Sequence, residues 1–379
     1  MHITHVVAHP PFREGTGTVC YYNVRALEDL GCNVRVYSTR PDGPRGLDGR
    51  TPEYRWLRSW LSIGNAYLTP DLLGMEKTDV IHLHFPFIFG SELTVLRSRL
   101  AKAPMVLTYH NDLIGNGIRR PLFWLYNHLD TPLILRQARR IIVTSFDYAR
   151  TSIYARTVFE RRRRDLVEVG NGVDVETFRP GIDGAGIRSR HAIGLGDVLL
   201  LFVSSLDRSH ARKGLDLLLE ALAELPDPRL RLIIVGDGDG RQDYERQAGR
   251  LGVEARLAFA GRVDQAELPA YYSACDMVVV PSRPPEAFGM ALAQGMATGK
   301  PVVGSDIPGV RSLVQNGEQG FLVPPGDRKA LAAAMTVLAG DPGLRARLGA
   351  AGRQRVVQTY SWKAAAEKLL AVYQDVLAR

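Results

Sequence analysis

Residues 281–308 read PSRPPEAFGMALAQGMATGKPVVGSDIP and join the end of an apolar strand to an acidic turn, a helix and a second apolar strand. Glu286 in this turn is followed by the flexible residues 287–289, and then by a helix whose free N–H groups and positive dipole end can hold a diphosphate. Earlier in the chain, Arg208 and Lys213 in LDRSHARKGLDLLLEA offer the neutralising cations. Together the two stretches predict a site for a sugar nucleotide.

The alternation of strand and helix continues through both halves of the chain. Helical stretches separate apolar runs such as HITHVVA, DVIHLHF and RRIIVTS in the first half, and VLLLFVSSL, RLRLIIVGD and MVVVPS in the second. This alternation predicts right-handed βαβ units in parallel sheets. A chain of 379 residues is too long for one ordinary core. We therefore predict an α/β fold of two Rossmann-like domains that face each other across a cleft.

The domain boundary is expected where Gly and Pro cluster, in GNGVDVETFRPGIDGAG. We place the first domain at residues 1–178 and the second, which would bind the nucleotide sugar, at residues 179–360. The last segment, residues 361–379, has helical spacing and is expected to pack back on the first domain.

Composition narrows the class of partner and the compartment. The net charge of +8 is concentrated in residues 1–180, which hold 24 Lys and Arg against 18 Asp and Glu. Such a basic half could attract nucleic acid, anionic lipid or a phosphorylated substrate, but no nucleic-acid-binding motif is present, so we expect no nucleic acid partner. Three scattered cysteines and the lack of a leader-like N-terminus or a long apolar span favour a cytoplasmic protein, one that could still sit at the inner face of the membrane.

An aromatic and basic stretch, RWLRSWLSIGNAYL at residues 55–68, carries Trp56 and Trp60 beside arginines. It could lie at a membrane interface, with the aromatic rings at the headgroups and the arginines on anionic lipid. It could equally form a core helix whose arginines reach out to solvent.

Two glycines after the first strand, Gly15 and Gly17, are predicted to open a helix and to let phosphate or sugar approach the backbone. The spacing differs from a dinucleotide fingerprint because Cys20 stands at the third glycine position. The alternative is an ordinary strand-to-helix turn. The acidic pair in VGDGDG resembles metal ligands, but such short patterns are common in turns and we predict no metal there.

Three histidines stand on or at the end of predicted strands. His82 and His84 are two residues apart and so share one face of a strand. Since no third ligand is apparent, we expect them to line the cleft rather than to bind metal. His110 ends a strand in PMVLTYHND, where it could orient or polarise a sugar hydroxyl, or simply lie in a surface loop.

In this combination the chain resembles the family-4 retaining glycosyltransferases, which have the two-domain GT-B fold. The resemblance covers nearly the whole chain, through the glycine loop, DVIHLHF, TYHND, VGNGVDVETFRP, the Arg208 and Lys213 pair, VGDGDG, AGRVDQAELPAYYSACDMVVVPS, residues 285–309 and GFLVPPGD. The motifs are specific for the family and much less so for its donor or acceptor.

The resemblance implies roles for individual residues. Arg208 and Lys213 would hold the diphosphate, Glu286 would bind hydroxyls of the transferred sugar, and His110 would lie beside that sugar. The remaining donor-binding residues implied are Gly15, Gly17, Val263, Phe288, Gly289, Met290, Ala291 and Gln294. At Gln294 the family has a second Glu, which faces the ribose; a Gln amide can still accept a hydrogen bond there, without the charge.

We therefore predict a retaining glycosyltransferase that moves a hexose from a nucleotide-diphosphate sugar to a lipid-linked, saccharide or small-molecule hydroxyl, with no metal and no other cofactor. By the family's mechanism the acceptor would attack from the face that the nucleotide leaves. One alternative is a nucleotide-sugar-binding protein without turnover, suggested by Gln294; another is a different GT-B enzyme, such as a sugar-nucleotide epimerase. The motifs do not distinguish UDP, GDP and ADP donors, the hexose or the acceptor.

Overall fold

The computed structural model describes residues 1–11, 15–40, 52–63, 66–113 and 120–379. They separate into two compact units, Met1–Gly172 with Trp362–Arg379, and Val173–Ser361. The division thus falls between Gly172 and Val173, a few residues before the boundary expected from the sequence. Each unit has its own parallel sheet.

The first unit is built on a seven-stranded sheet with the order β3-β2-β1-β6-β7-β8-β9, and β4 and β5 form a separate antiparallel hairpin. Its strands are β1 (His2–Val7), β2 (Asn33–Thr39), β3 (Glu53–Leu57), β4 (Leu61–Ile63), β5 (Ala66–Leu68), β6 (Val80–Phe85), β7 (Met105–Tyr109), β8 (Arg140–Val143) and β9 (Leu166–Glu168). Its helices before the second unit are α1 (Gly15–Asp29), α2 (Gly90–Ala101), α3 (Arg120–Gln137), α4 (Phe146–Ala149) and α5 (Arg156–Arg161). All of β6 is buried, as expected for a central parallel strand covered on both faces.

Residues 55–68 do not form the core helix considered above. Trp56 lies in β3, which pairs in parallel with β2, and its ring stacks on that of Tyr54 with centroids 4.8 Å apart. The two aromatic residues are two positions apart, so they share one face of a strand, and this period fits a sheet edge better than a helix. Trp60 lies just before the hairpin, its N–H donates to the carbonyl of Leu68, and it is 74% exposed.

The second unit has a six-stranded parallel sheet with the order β12-β11-β10-β13-β14-β15. Its strands are β10 (Val198–Val203), β11 (Leu230–Val235), β12 (Leu257–Gly261), β13 (Met277–Val280), β14 (Val302–Ser305) and β15 (Gly320–Val323). Its helices are α6 (Ala185–Arg190), α7 (Leu215–Ala223), α8 (Arg241–Leu251), α9 (Leu268–Ala274), α10 (Met290–Ala297), α11 (Val310–Leu313), α12 (Arg328–Gly340) and α13 (Pro342–Arg355). The predicted strand–turn–helix–strand unit at residues 277–305 is β13, α10 and β14.

The last helix, α14 (Trp362–Leu377), belongs to the first unit. It packs along α1, and its buried side chains recur with helical spacing at Ala365, Ala366, Leu369, Val372, Tyr373 and Val376. The ring of Trp362 stacks on that of Tyr22, and Asp375 pairs with the nearly buried Arg140 at the start of β8. This helix therefore completes the apolar layer on one face of the first sheet.

No helix among the described residues is both long enough and apolar enough to cross a bilayer.

Candidate functional site

The order of strands in the second unit creates one switch point. From β10 the chain passes to β11 and β12 on one side, and it later returns to β13, β14 and β15 on the other. Loops that leave adjacent strands in opposite directions open a crevice at the carboxyl ends of those strands, where α/β proteins bind ligands. The loop after β10 contains Arg208 and Lys213, and the loop after β13 contains Glu286. The fold therefore brings Arg208, Lys213 and Glu286 to the switch point of this unit.

Hydrogen bonds join these two loops directly. The N–H of Arg283 donates to the carbonyl of Arg212 at 2.6 Å, and Arg212 Nε donates to the carbonyl of Pro285 at 3.2 Å. Gly214 makes the approach possible, because its φ is +81° and a Cβ there would lie 2.2 Å from the carbonyl oxygen of Pro281. The close approach of the loops thus depends on a glycine.

The centre of this arrangement is an ion pair between Lys213 and Glu286. Lys213 Nζ lies 2.5 Å from Glu286 Oε2, and the Ser282 hydroxyl donates to the same oxygen at 3.3 Å. The lysine and glutamate side chains are only 21% and 11% exposed. Burial on this scale strengthens the attraction relative to a surface pair and holds the ammonium in a fixed position.

Arg208 is held by acidic residues outside the loop after β13 and remains open to solvent. Its guanidinium donates to Asp243 Oδ2 on α8 at 3.1 and 3.2 Å, while its backbone N–H donates to Asp239 Oδ1 at 2.7 Å. The side chain is still 69% exposed. Part of the acidic VGDGDG pattern therefore orders the Arg208 turn, a role that its sequence alone did not indicate.

The start of α10 presents backbone rather than side chains. Gly289 precedes the helix with φ +92°. The Phe288 side chain is buried and packs edge to face against Tyr360, so only its main chain is left to meet a ligand. A Cβ on Gly309 would lie 2.2 Å from the carbonyl oxygen of Glu286, which makes this glycine a second requirement for the turn. Met290 and Ala291 form the first turn of α10.

Gln294, the position that departs from the family pattern, has a structural partner. The Tyr272 hydroxyl donates to Gln294 Oε1 at 2.8 Å, and Tyr272 is fully buried. Burial raises the pKa of this tyrosine well above its ordinary value, so the hydroxyl stays protonated and needs an acceptor. Val263, the other predicted donor contact, follows β12 and packs half-buried on the core of the same unit. Its predicted place beside the nucleobase stays a prediction.

In the first unit the switch point lies between β1 and β6. Gly15 and Gly17 follow β1 and begin α1, as predicted for a helix opening. A Cβ on Gly17 would lie 2.3 Å from the carbonyl oxygen of Pro10, so this glycine lets the helix start against the strand end, while Gly15 faces open space. Their predicted role in donor binding stays a prediction.

The three histidines singled out from the sequence, His82, His84 and His110, are deeply buried, which corrects one expectation and excludes one alternative. His82 and His84 do not line a surface cleft, since they are at most 1% exposed, and His110 is 7% exposed rather than part of a surface loop. His5 on β1 is the third imidazole that the sequence did not reveal, because it is distant in the chain and comes beside β6 only in the sheet.

These rings form one continuous set of hydrogen bonds. Nε2 of His110 lies 3.0 Å from Nδ1 of His84, and Nε2 of His84 lies 2.9 Å from Nδ1 of His5. Nε2 of His5 and Nδ1 of His82 lie 3.2 and 2.6 Å from the hydroxyl of Tyr373 on α14. The set ends where Nε2 of His82 lies 2.7 Å from Oγ1 of Thr108. We call these six residues the histidine chain.

Burial keeps the imidazoles of the chain neutral. It lowers the pKa of His5 to about 3 and that of His110 to about 4. The pKa values of His82 and His84 fall well below 6.5, first through burial and then through the neighbouring imidazoles. Each ring therefore has one N–H donor and one acceptor nitrogen at neutral pH.

One group of potential metal ligands lies in this chain. His5, His82 and His84 place ligand atoms within 4.8 Å of one another, and no other trio of this kind occurs in the part of the chain that the structure describes. Each ring nitrogen of the three already has a hydrogen-bond partner. The geometry thus favours a neutral hydrogen-bonded chain over a metal centre.

Comparison with known proteins finds a matching family model for each unit. Residues 13–177 match the family model described as Glycosyltransferase Family 4, and residues 186–355 match the one described as Glycosyl transferases group 1. A phosphatidyl-myo-inositol mannosyltransferase of Mycobacterium leprae is 34% identical over 307 residues, which cover 79% of this chain and 74% of that protein. A D-inositol 3-phosphate glycosyltransferase of Corynebacterium glutamicum is 36% identical over 320 residues, with 79% and 73% covered. The structure of Anabaena HepE in complex with UDP and glucose superposes with a TM-score of 0.76 at 22% identity, covering 99% of this chain and all of that one.

The two Rossmann-like units and the family models that match them define a glycosyltransferase of the GT-B fold. The chain belongs to the family-4 glycosyltransferases, and the family and fold expected from its motifs are confirmed.

Proposed function

We propose that the protein transfers a hexose, with retention of configuration and without a divalent metal, from a nucleotide-diphosphate sugar to a hydroxyl of an inositol-phosphate acceptor, free or lipid-linked. The observation that carries the donor half is the Lys213–Glu286 pair at the switch point of the second unit, with Arg208 exposed beside it. One buried and one exposed cation can together balance the charge that develops on a departing diphosphate, which is the part a metal plays in other transferases.

The state of Glu286 supports retention without a covalent intermediate. A carboxylate that accepts hydrogen bonds from both Lys213 and Ser282 has its lone pairs engaged and is a weak nucleophile. It is better suited to accept hydrogen bonds from hydroxyls of the sugar. In the proposed reaction the bond from the anomeric carbon to the β-phosphate oxygen breaks. The acceptor oxygen bonds to that carbon from the same face, and a phosphate oxygen of the leaving nucleotide takes the acceptor's proton.

The acceptor proposal comes from the relatives and from charge. Both curated relatives act, by their names, on an inositol that carries a phosphate. Residues 1–180 hold 24 basic against 18 acidic side chains, which suits an anionic acceptor. For the donor, Anabaena HepE binds UDP, which agrees with a nucleoside diphosphate without fixing the base of this chain's donor.

The experiment is a transfer assay with purified protein. UDP-, GDP- and ADP-hexoses are each offered with myo-inositol phosphate or phosphatidylinositol vesicles, with and without EDTA, and the anomeric configuration of the product is read by NMR. We expect one donor to raise the melting temperature and to give an α-linked product from an α-linked donor, unaffected by EDTA. An inverted product or a loss of rate with EDTA would contradict the mechanism. Donor binding without transfer to either acceptor would favour the binding-protein alternative.

We also propose peripheral contact with anionic membrane through the β4–β5 hairpin. Trp60 and the adjoining Leu61 are 74% and 52% exposed, which is unusual for large apolar side chains. Trp60→Ser should weaken binding to anionic liposomes several-fold and leave thermal unfolding unchanged. Trp56 is unsuited to this test because its ring supports β3 against Tyr54. Leu195→Ser, at a fully exposed position of the second unit, is the matched control, and equal binding by both variants would remove the proposal.

A further inference from the structure

The histidine chain has only two self-consistent arrangements of its protons. Each neutral imidazole donates from one nitrogen and accepts at the other, and Tyr373 must accept from one histidine and donate to the other. Fixing the donor at one end therefore fixes it at every bond. In one sense the protons point from His110 toward Thr108, and in the other they point from Thr108 toward His110.

The Thr108 end selects the second sense. Thr108 is buried, and among the described residues its hydroxyl has one partner, Nε2 of His82. If His82 donated, the threonine proton would be buried without an acceptor, at a cost of about 1–3 kcal/mol. If Thr108 donates, every proton of the chain has an acceptor. His82 then donates from Nδ1 to Tyr373, and Tyr373 donates to Nε2 of His5.

The same sense continues to the strand end at His110. His5 donates from Nδ1 to Nε2 of His84, and His84 donates from Nδ1 to Nε2 of His110. The neutral thiol of Cys20, 3.8 Å from Nδ1 of His5, does not oppose this, because burial raises its pKa and sulfur can accept weakly. Since Nε2 of His110 accepts, its one proton lies on Nδ1, a nitrogen with no partner within the described part of the chain.

We propose that His5, His82, His84, Thr108 and Tyr373 are positioning residues that hold His110 as a neutral imidazole with its proton on Nδ1. In this form His110 is a hydrogen-bond donor, and it cannot act as a general base at that nitrogen. It would donate to an oxygen of the transferred hexose; this last step rests on the proposed function, whereas the proton arrangement does not. The side chain that anchors the middle of the chain, Tyr373, comes from the final helix and lies far along the sequence from His110.

The proton arrangement can be measured without any activity. The full-length protein is labelled with ¹⁵N-histidine, and long-range ¹H–¹⁵N spectra assign the tautomer of each of its nine histidines. We expect His5, His82, His84 and His110 to be Nδ1-protonated at pH 7, the minority form of free imidazole in water, and the exposed His2 to show the ordinary Nε2–H form. Nε2 protonation of the four rings, a mixture, or a charged ring would overturn the proposal. So would a shift of all these nitrogens on addition of Zn²⁺, which would indicate a metal site.

Tyr373→Phe tests the transmission of the effect. It removes the donor to His5, so His5, His84 and His110 should become tautomeric mixtures although the substituted hydroxyl contacts only His5 and His82. Tyr54→Phe is the matched control, since that buried hydroxyl has no hydrogen-bond partner among the described residues. If Tyr373 were merely structural, its variant would melt at a lower temperature with the His110 signals unchanged, which would overturn the proposal.

Two further arms keep the test decisive. If Tyr373→Phe does not fold, Thr108→Val removes the terminal donor with little change of volume and should release the tautomer of His82. In the transfer assay, Tyr373→Phe should lower kcat/KM about threefold to tenfold, the effect of one misdirected neutral hydrogen bond. If Tyr373→Phe changes the tautomers but the protein transfers to no acceptor, the proton arrangement of the histidine chain is supported and only the proposed function is contradicted.

Discussion

At the scale of single residues, the candidate site of the second unit has two cationic side chains, and they differ in how firmly their surroundings hold them. Lys213 is pinned by Glu286, whereas Arg208 is tethered only at the surface. A pinned cation contributes more to a transition state than a mobile one because it need not reorganise. We therefore expect Lys213 to contribute more than Arg208 to stabilising the transition state.

Lys213→Ala should lower kcat/KM for the donor by about 10²- to 10³-fold, because it removes a preorganised charge from the leaving diphosphate. Steady-state kinetics measure the loss, and Lys329→Ala, at an exposed lysine of the same unit, serves as control. An effect no larger than that of Lys329→Ala would exclude Lys213 from the chemistry.

Gln294→Glu restores the acidic residue of the family pattern. The Tyr272 hydroxyl could still donate to it, and the new charge could strengthen a bond to a ribose hydroxyl by about 1 kcal/mol. Isothermal titration with the donor nucleotide should then show about fivefold tighter binding. Equal or weaker binding would indicate that Gln294 serves Tyr272 and not the ligand.

At the scale of elements, the site depends on two loops that could not approach each other with ordinary residues. Gly214 and Gly309 are both in the left-handed region, and both lie against backbone carbonyls of the loop after β13. The helix α10 can therefore begin directly behind Glu286. The sequence motif encodes backbone shape as much as it encodes side-chain chemistry.

Gly214→Ala tests this constraint. Its Cβ would clash with the carbonyl of Pro281 and favour a negative φ, so we expect a loss of about 2–4 kcal/mol in unfolding free energy and a larger loss of donor affinity. Chemical denaturation and donor titration measure the two quantities. Gly186→Ala in α6, where a Cβ meets open space, should be neutral or stabilising. Similar results for the two variants would mean that the loops separate without cost.

At the scale of the whole molecule, the sequence predicted the regular features and missed those made by distant partners. Both sheets followed from alternating apolar runs, and the turn at Glu286 followed from a local motif. For residues 55–68 the sequence left a membrane-interface segment and a core helix open, because the two-residue period of Tyr54 and Trp56 that indicates a strand was hidden among arginines. The histidine chain could not be predicted, since His5, His84 and Tyr373 meet only through the order of strands and the return of α14.

The buried histidines should make the first unit sensitive to acid. Their pKa values in the folded state lie at about 3 for His5 and 4 for His110, against about 6.5 when unfolded, so the unfolded chain binds more protons between these limits. The stabilisation that the neutral rings contribute is fully present above pH 6.5. As the pH drops toward 4, the unfolding free energy falls by up to about 1.4 kcal/mol per pH unit for each ring.

Intrinsic fluorescence can follow this loss in the first unit alone, because all four tryptophans, at 56, 60, 124 and 362, belong to it. Urea midpoints measured between pH 7 and 4.5 should fall steeply by fluorescence. Hydrogen exchange of the second unit, whose His191 and His210 are only partly buried, should change less. Parallel losses in the two units would contradict the assignment to the histidine chain.

The two units also differ in when they can form. Val173–Ser361 is one uninterrupted length of chain, whereas the first unit needs Trp362–Arg379 to cover α1 and to supply Tyr373. In the order of synthesis, every residue of the second unit is therefore in place before the last segment of the first unit. The amino-terminal sheet keeps an apolar face uncovered until residues 362–379 have been translated, and a nascent chain stalled before Trp362 would carry the donor turn but lack the helix that closes the other half.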